Sequence, residues 1–128
     1  MPLVHHELCF GCGRTNLFGL LLEVGPSGPG EVAGRCFIKQ DHQGPDRGNA
    51  HEGVVAAALC EAMALACGPD ARVMAFEITL RGPAPVGAFL ELEARVESSE
   101  DQLSRAVASA TADGALVARA QGSYRRLT

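Results

Sequence analysis

One run of residues constrains the fold of this chain more than any other, the stretch 53–67, which is apolar on nearly every side. It is rich in Ala, which favours helix, and it stops at Gly68-Pro69, a sequence that ends helices. Glu61 is the only charge within it. A helix whose surface is apolar all round is usually buried on most sides. The sequence therefore predicts one central helix enclosed by the rest of the chain.

Strand-like segments lie on both sides of this helix. Two precede it, separated by the turn residues 25–30, and four follow it, where apolar residues alternate and Asp113-Gly114 marks a hairpin. The predicted strands are 20–24, 32–38, 73–80, 89–97, 102–111 and 115–124. This order predicts an α+β fold, an antiparallel sheet wrapped around one helix. The whole chain, 1–128, is expected to form a single domain with an N-terminal arm over 1–17.

Charge and composition exclude several classes of function. The net charge of −4 gives no basic surface for nucleic acid, and no apolar run is long enough to cross a membrane. The N-terminus has no secretory signal pattern, and five cysteines is an odd number, so free thiols in a reducing cytoplasm are expected.

The arm contains a pair of cysteines, Cys9 and Cys12, at the spacing of metal ligands. Zinc sites commonly use two such pairs, and no second pair is present, because Cys36, Cys60 and Cys67 are isolated. The adjacent histidines, His5 and His6, are poorly spaced to converge with the cysteines. The sequence therefore predicts no metal site, and the motif is interpreted as packing the arm over the sheet, with glycines that permit a tight turn.

Three segments in order extend along most of the chain. They are Cys9-Phe10-Gly11-Cys12-Gly13 with Asn16, Gly19 and Leu20; His42-Gln43-Gly44-Pro45 through Ala50-His51-Glu52-Gly53-Val54-Val55-Ala56; and Leu80-Arg81-Gly82-Pro83-Ala84-Pro85-Val86-Gly87. Together, and in the family's order, they resemble the PaaI-like branch of the hotdog-fold thioesterases.

This resemblance implies a hotdog fold, a curved antiparallel sheet around a long central helix, that assembles as a homodimer or a dimer of dimers. It implies an acyl-CoA thioesterase whose site lies at the dimer interface and needs no cofactor beyond the coenzyme A of the substrate. The main alternative is a module that binds acyl-CoA without hydrolysing it. A hotdog dehydratase acting on acyl carrier protein fits the N-terminal opening and the helix less well.

The resemblance also assigns roles around the start of the helix. The backbone N–H of Gly53 is the expected oxyanion donor, because amides at a helix N-terminus are unpaired and carry the positive end of the dipole. His51 is expected to orient the loop or contact the substrate carbonyl, unless it is a structural histidine bonded to backbone. Glu52 replaces a family glycine and is expected to point outward. The candidate substrate-binding residues are Asn49, Glu52, Val54 and Arg81.

The helix departs from the family at Cys60, which stands where relatives carry the catalytic acid. Each helical residue advances by about 100°, so Cys60 lies about 20° and Glu61 about 80° from the face of Gly53. Three interpretations stay open. Glu61 supplies the general base from the neighbouring position; Cys60 acts as a nucleophile; or the site binds acyl-CoA without fast hydrolysis. Glu61 is otherwise a buried acid paired with Arg72, Arg81 or another cation.

Overall fold

The computed structural model describes residues 2–127, which form one six-stranded antiparallel sheet and one long helix. A 3-10 turn over Gln40–His42 precedes the helix. The elements in chain order are β1 Glu23–Gly28, β2 Glu31–Phe37, α1 Glu52–Cys67, β3 Ala71–Leu80, β4 Phe89–Glu100, β5 Leu103–Ala112 and β6 Ala115–Arg126. The predicted sequence of two strands, one helix and four strands is confirmed.

The strands are ordered β1-β2-β4-β5-β6-β3 across the sheet, so β3 lies at one edge. The hairpin between β5 and β6 turns at Asp113 and Gly114, both with positive φ, as the Asp-Gly signal predicts. β3 pairs only with β6 among the described strands. Its other side therefore presents unpaired backbone groups.

Helix α1 lies across one face of the curved sheet and is enclosed along its length. No residue between Val54 and Cys67 is exposed. Alanines on the strands beneath it, such as Ala108 of β5 and Ala118 of β6, are buried and allow the helix to approach closely. This is the hotdog arrangement, and the predicted fold class is confirmed. Within residues 2–127 no helix has the length and apolar character needed to cross a membrane.

The first strand was predicted over residues 20–24, but β1 extends over Glu23–Gly28. Residues 20–22 are not part of the sheet; the amides of Leu20 and Leu22 donate instead to the carbonyls of Phe10 and Gly11 in the arm. β1 runs through the Gly- and Pro-rich segment that predicted a turn, with a register shift between Pro26 and Gly28. An edge strand tolerates proline, because an outward-facing N–H has no strand partner to lose.

The edge strand β3 is apolar and exposed. Phe76, Ile78 and Leu80 share one face of β3; Ile78 is half-buried against the core, and Phe76 and Leu80 remain 39% and 44% exposed. Val73 and Met74 are exposed as well. A long, apolar and unpaired edge is the kind of surface that natural proteins cover.

Candidate functional site

The start of α1 is capped by the side chain of His51. Its Nδ1 accepts a hydrogen bond from the backbone N–H of Gly53 at 2.8 Å. The helix begins at Glu52, one residue before the predicted start. The cap is thus the side chain of His51. The N–H predicted to receive an oxyanion already has an acceptor, and that acceptor belongs to an exposed side chain.

The loop that presents His51 is fixed by backbone contacts on two sides. The amide of His51 donates to the carbonyl of His42 at 2.7 Å, and the amide of Ala50 donates to the carbonyl of Ala84 at 2.8 Å. His42 is buried, and its Nδ1 accepts from the amide of Lys39 at 3.0 Å. The second and third segments of the family resemblance therefore meet in space and hold the helix start together.

The four candidate substrate-binding residues lie around this loop but not in one cavity. Glu52 is exposed in the first turn of α1, which confirms the outward direction and suits the helix dipole. Val54 is half-buried against the core, and Asn49 bridges to Pro85 through its backbone. Arg81 is exposed just beyond β3, where its amide donates to the carbonyl of Val117.

Cys60 lies farther along the helix, beneath the only tyrosine in the sequence. The hydroxyl of Tyr124 donates to the backbone carbonyl of Cys60 at 2.8 Å and lies 3.4 Å from its Sγ. Burial raises the pKa of the Cys60 thiol above its usual range, although the Tyr124 hydroxyl acts in the opposite direction. A neutral thiol is a weak nucleophile, so this environment does not activate Cys60.

Glu61 is held by the N-terminal arm. Its Oε2 lies 2.8 Å from Nδ1 of His5 and 3.4 Å from Sγ of Cys9. Burial raises the pKa of Glu61, but hydrogen bonds from His5 and Cys12 and the charge of His5 outweigh it, so the pKa lies below its ordinary value. The pKa of His5 lies above its ordinary value, and the largest cause is its hydrogen bond with Glu61. The partner of Glu61 is thus His5, and not Arg72 or Arg81.

The two halves of the predicted site do not meet within one chain. Gly53 and Glu61 lie on the same helix, eight residues apart, which corresponds to about 12 Å along its axis. His51 is farther still from Cys60, so it is not the base that would activate this thiol. An oxyanion donor and an acid that act on one carbonyl must lie within a few ångströms of it. Within a single chain, the helix start and Glu61 therefore cannot act on the same carbonyl.

A groove of about 270 Å³ lies beside Glu61 and contains residues that sequence reasoning did not assign to a site. It is lined by His5, Cys9, Cys60, Glu61, Arg72, Val73 and Tyr124, among others. Tyr124, which the sequence analysis assigned no role, is fully buried. The feature of the sequence that could have indicated a role for Tyr124 is that it is the single tyrosine and lies in a strand of alternating pattern. For His5 no local signal existed, because its partner is 56 residues away.

Solved structures share the fold of this chain, and they include proteins named as PaaI and as thioesterase superfamily members. The chain is similar to the PaaI protein of the Escherichia coli phenylacetic acid degradation operon, with 18% identity, TM-score 0.78, and 85% of this chain and 81% of that one covered. It is similar to a mutant form of the phenylacetic acid degradation protein PaaI from Thermus thermophilus, with 27% identity, TM-score 0.75, and coverage of 83% and 93%.

A third similar structure is zebra fish thioesterase superfamily member 2, with 22% identity, TM-score 0.72, and coverage of 84% and 81%. No protein-family model matches the chain, and no curated protein matches its sequence. The likeness is therefore one of fold, and it extends along more than four-fifths of the chain.

Proposed function

We propose that this protein is an acyl-CoA thioesterase whose site forms where two copies of the chain meet. The observation that carries the proposal is the separation of His51 and Gly53 from Glu61 along a single helix. Each chain carries both halves of a site but holds them about 12 Å apart, too far for one carbonyl. Two-fold pairing of chains would complete two identical sites. The thioesterase names of the similar structures support the same chemistry.

The exposed edge strand β3 offers the surface for this pairing. If β3 pairs antiparallel with β3 of a second copy, Arg72 at its start comes to lie near Leu80 at the end of the other strand. Arg72 and Val73 line the groove beside Glu61. Leu80 leads into the turn at Ala84 that holds the His51 loop. Edge pairing would therefore bring the helix start of one chain to the Glu61 groove of the other.

The helix start supplies stabilisation for the oxyanion. Nδ1 of His51 already occupies the position of a hydrogen-bond acceptor at 2.8 Å from the amide of Gly53. His51 is exposed, so its imidazole can rotate away from the amide of Gly53. The carbonyl oxygen of a thioester can then accept the hydrogen bond from that amide. The amide and the positive end of the helix dipole would then face the charge that develops on that oxygen.

Glu61 is the group best suited to activate water. Its lowered pKa keeps the carboxylate ionised at neutral pH, which is the form that accepts a proton from an attacking water. Because Oε2 contacts His5 and Cys9, the proton would be taken by Oε1. Cys60 would pack beneath Tyr124 and take no part in the chemistry. No cofactor is needed, apart from the coenzyme A of the substrate.

The second candidate function is acyl-CoA binding without hydrolysis. One observation favours it: both groups expected to act in hydrolysis already have hydrogen-bond partners. The amide of Gly53 donates to His51, and the carboxylate of Glu61 is paired with His5. A carboxylate paired with an imidazole is a weaker base than a free one. If neither contact opens in the presence of substrate, the groove would hold an acyl-CoA molecule and release it unchanged.

Thiol release from short, long and aryl acyl-CoAs separates the two functions. We expect turnover in the wild type, loss of turnover in Glu61→Gln, and retention in Cys60→Ala. Turnover that is retained in Glu61→Gln and lost in Cys60→Ala would show instead that Cys60 is the catalytic residue. Binding of acyl-CoA by the wild type without release of thiol would establish the binding module and exclude the thioesterase.

A further inference from the structure

Four metal-ligand side chains converge where the arm meets the helix. Their donor atoms, one each from His5, Cys9, Cys12 and Glu61, all lie within 4.8 Å of one another. The expectation that the histidines are poorly placed to meet the cysteines is wrong for His5. We infer that these four residues form a zinc site that fastens the N-terminal arm to α1.

The separations between the donor atoms fit a tetrahedral zinc ion. With ordinary Zn–S, Zn–N and Zn–O bond lengths, the corners of such a tetrahedron are about 3.3–3.8 Å apart. Nδ1 of His5 lies 3.7 Å from Sγ of Cys9 and 3.4 Å from Sγ of Cys12. Cys9 Sγ lies 3.4 Å from Oε2 of Glu61. These three edges already have the required length.

The fourth measured edge is shorter because it is a hydrogen bond. His5 Nδ1 and Glu61 Oε2 are 2.8 Å apart and share a proton. Binding of zinc would replace that proton with the metal and separate the two atoms by roughly half an ångström, to the tetrahedral distance. Both groups are side-chain ends, so this change needs no movement of the backbone.

The local chain is shaped to hold these ligands. Gly13 donates its amide to the carbonyl of Cys9 at 2.9 Å and closes the turn that brings the two thiols together. A Cβ at Gly13 would overlap the backbone of Cys9, and a Cβ at Gly11 would overlap the carboxylate of Glu61. Both glycines of the motif are therefore needed for Glu61 to approach the cysteines.

The backbone also contacts one sulfur of the cluster. The amide of His5 donates to Sγ of Cys12 at 3.1 Å. Burial raises the pKa of the Cys12 thiol to about 12 in the metal-free protein, whereas this N–H acts in the opposite direction and favours the thiolate, which is the form that binds metal. Cys12 itself is fully buried, and His5, Cys9 and Glu61 are half-buried around it. The ion would lie largely out of solvent.

The donor set favours zinc over other common ions. Two thiolates and an imidazole are soft and borderline ligands, whereas calcium and magnesium take oxygen ligands. Four protein ligands close the coordination sphere, which is typical of structural zinc. Coordination through Oε2 leaves Oε1 of Glu61 as an acceptor. The site thus goes beyond the proposed hydrolysis and does not depend on it.

Metal content of protein purified without a metal-affinity tag tests the site. We expect about one zinc per chain in the wild type, and less than about one tenth of that in Cys9→Ser and Cys12→Ser. The matched controls are Cys67→Ala, a buried cysteine outside the cluster, and His6→Ala, the exposed neighbour of His5; both should retain the metal. Loss of zinc from the controls to the same degree would contradict the assignment.

Cobalt substitution tests the ligands first in the wild-type protein, where no substitution can disturb folding. Metal-free wild-type protein titrated with Co²⁺ should develop a thiolate-to-cobalt charge-transfer band and the intense visible bands of a tetrahedral ion. In Glu61→Ala the charge-transfer band should persist while the visible bands change. We also expect zinc to raise the Tm of the metal-free protein by about 10 °C.

An octahedral cobalt spectrum without the charge-transfer band would overturn the inference. So would a wild-type protein that contains no zinc and takes up none when zinc is supplied. These readings use no acyl-CoA. Failure of the zinc site and failure of the thioesterase are therefore seen in separate experiments.

Discussion

His5 and Glu61 lie 2.8 Å apart although 56 residues separate them in the chain. Through this contact the arm neutralises the only charge in the buried stretch 53–67 of α1. The two side chains are 13% and 15% exposed, so water screens them only in part. The contact links the arm and α1, and it places an ionised carboxylate beside the groove at the edge strand.

Removal of the imidazole should destabilise the fold. In metal-free protein we expect His5→Ala to lower the free energy of unfolding by about 2 kcal/mol, because a buried carboxylate loses a charged hydrogen-bond partner. Chemical denaturation measures this directly. His6→Ala is the matched control, since His6 is exposed, and it should leave the unfolding midpoint unchanged. Equal effects in the two variants would show that the pair does not stabilise the arm.

The hydroxyl of Tyr124 should contribute to stability through the helix and not through catalysis. Tyr124→Phe keeps the ring but removes the hydrogen bond to the carbonyl of Cys60. We expect a loss of about 1 kcal/mol in the free energy of unfolding, with thioesterase turnover retained. A large fall in kcat with an unchanged unfolding midpoint would instead assign Tyr124 to the chemistry.

Acid should weaken the loop that presents His51. Burial lowers the pKa of His42 below its ordinary value of 6.5, with a further lowering from the charge of Lys39. The unfolded chain therefore binds the proton more readily than the folded protein. Stability is fully present above pH 6.5 and is lost as pH falls through the folded pKa.

The difference between wild type and His42→Gln isolates this effect. Unfolding free energies measured from about pH 8 downward, in steps of about half a unit, should fall in the wild type below pH 6.5 and stay flatter in the variant. Parallel curves for the two proteins would mean that His42 does not titrate with unfolding.

The edge strand β3 should be the surface that pairs two chains. A charge at Phe76 would be buried without a partner in that interface, so Phe76→Glu is expected to shift the protein toward monomer in sedimentation equilibrium. Phe89→Glu is the matched control, since Phe89 is also 39% exposed but lies on an interior strand. Dissociation by Phe89→Glu and not by Phe76→Glu would place the interface elsewhere.

The sequence was sufficient for the architecture because its strongest patterns are local. Neither the apolar run 53–67, with Glu61 as its single charge, nor the hairpin at Asp113-Gly114 requires knowledge of distant residues. The first strand was misplaced because Leu20 pairs with the arm and not with the sheet. Pro26 looked like part of a turn, but an edge strand accommodates it.

The site was less accessible to sequence reasoning because its contacts are long-range. Nothing near Glu61 in the chain indicates that His5 and Cys9 will reach its carboxylate. The rotation of about 100° per helical residue predicts that the side chains of Cys60 and Glu61 point in different directions. It carries no information on which residues of other elements contact each side chain. Likewise, His51 was recognised by its position, whereas its bond to Gly53 depends on a side-chain rotamer.

The central claim, that each site takes its parts from two chains, is tested most directly by mixing two inactive variants. Gly53→Pro, which removes the N–H that would face the oxyanion, and Glu61→Gln impair opposite halves of a site, so each homodimer should release little thiol from acyl-CoA. After subunit exchange, half of the dimers are mixed, and each mixed dimer holds one intact site. We predict recovery of about a quarter of wild-type turnover in the mixture. Turnover in the mixture no greater than the average of the two variants alone would contradict a shared site.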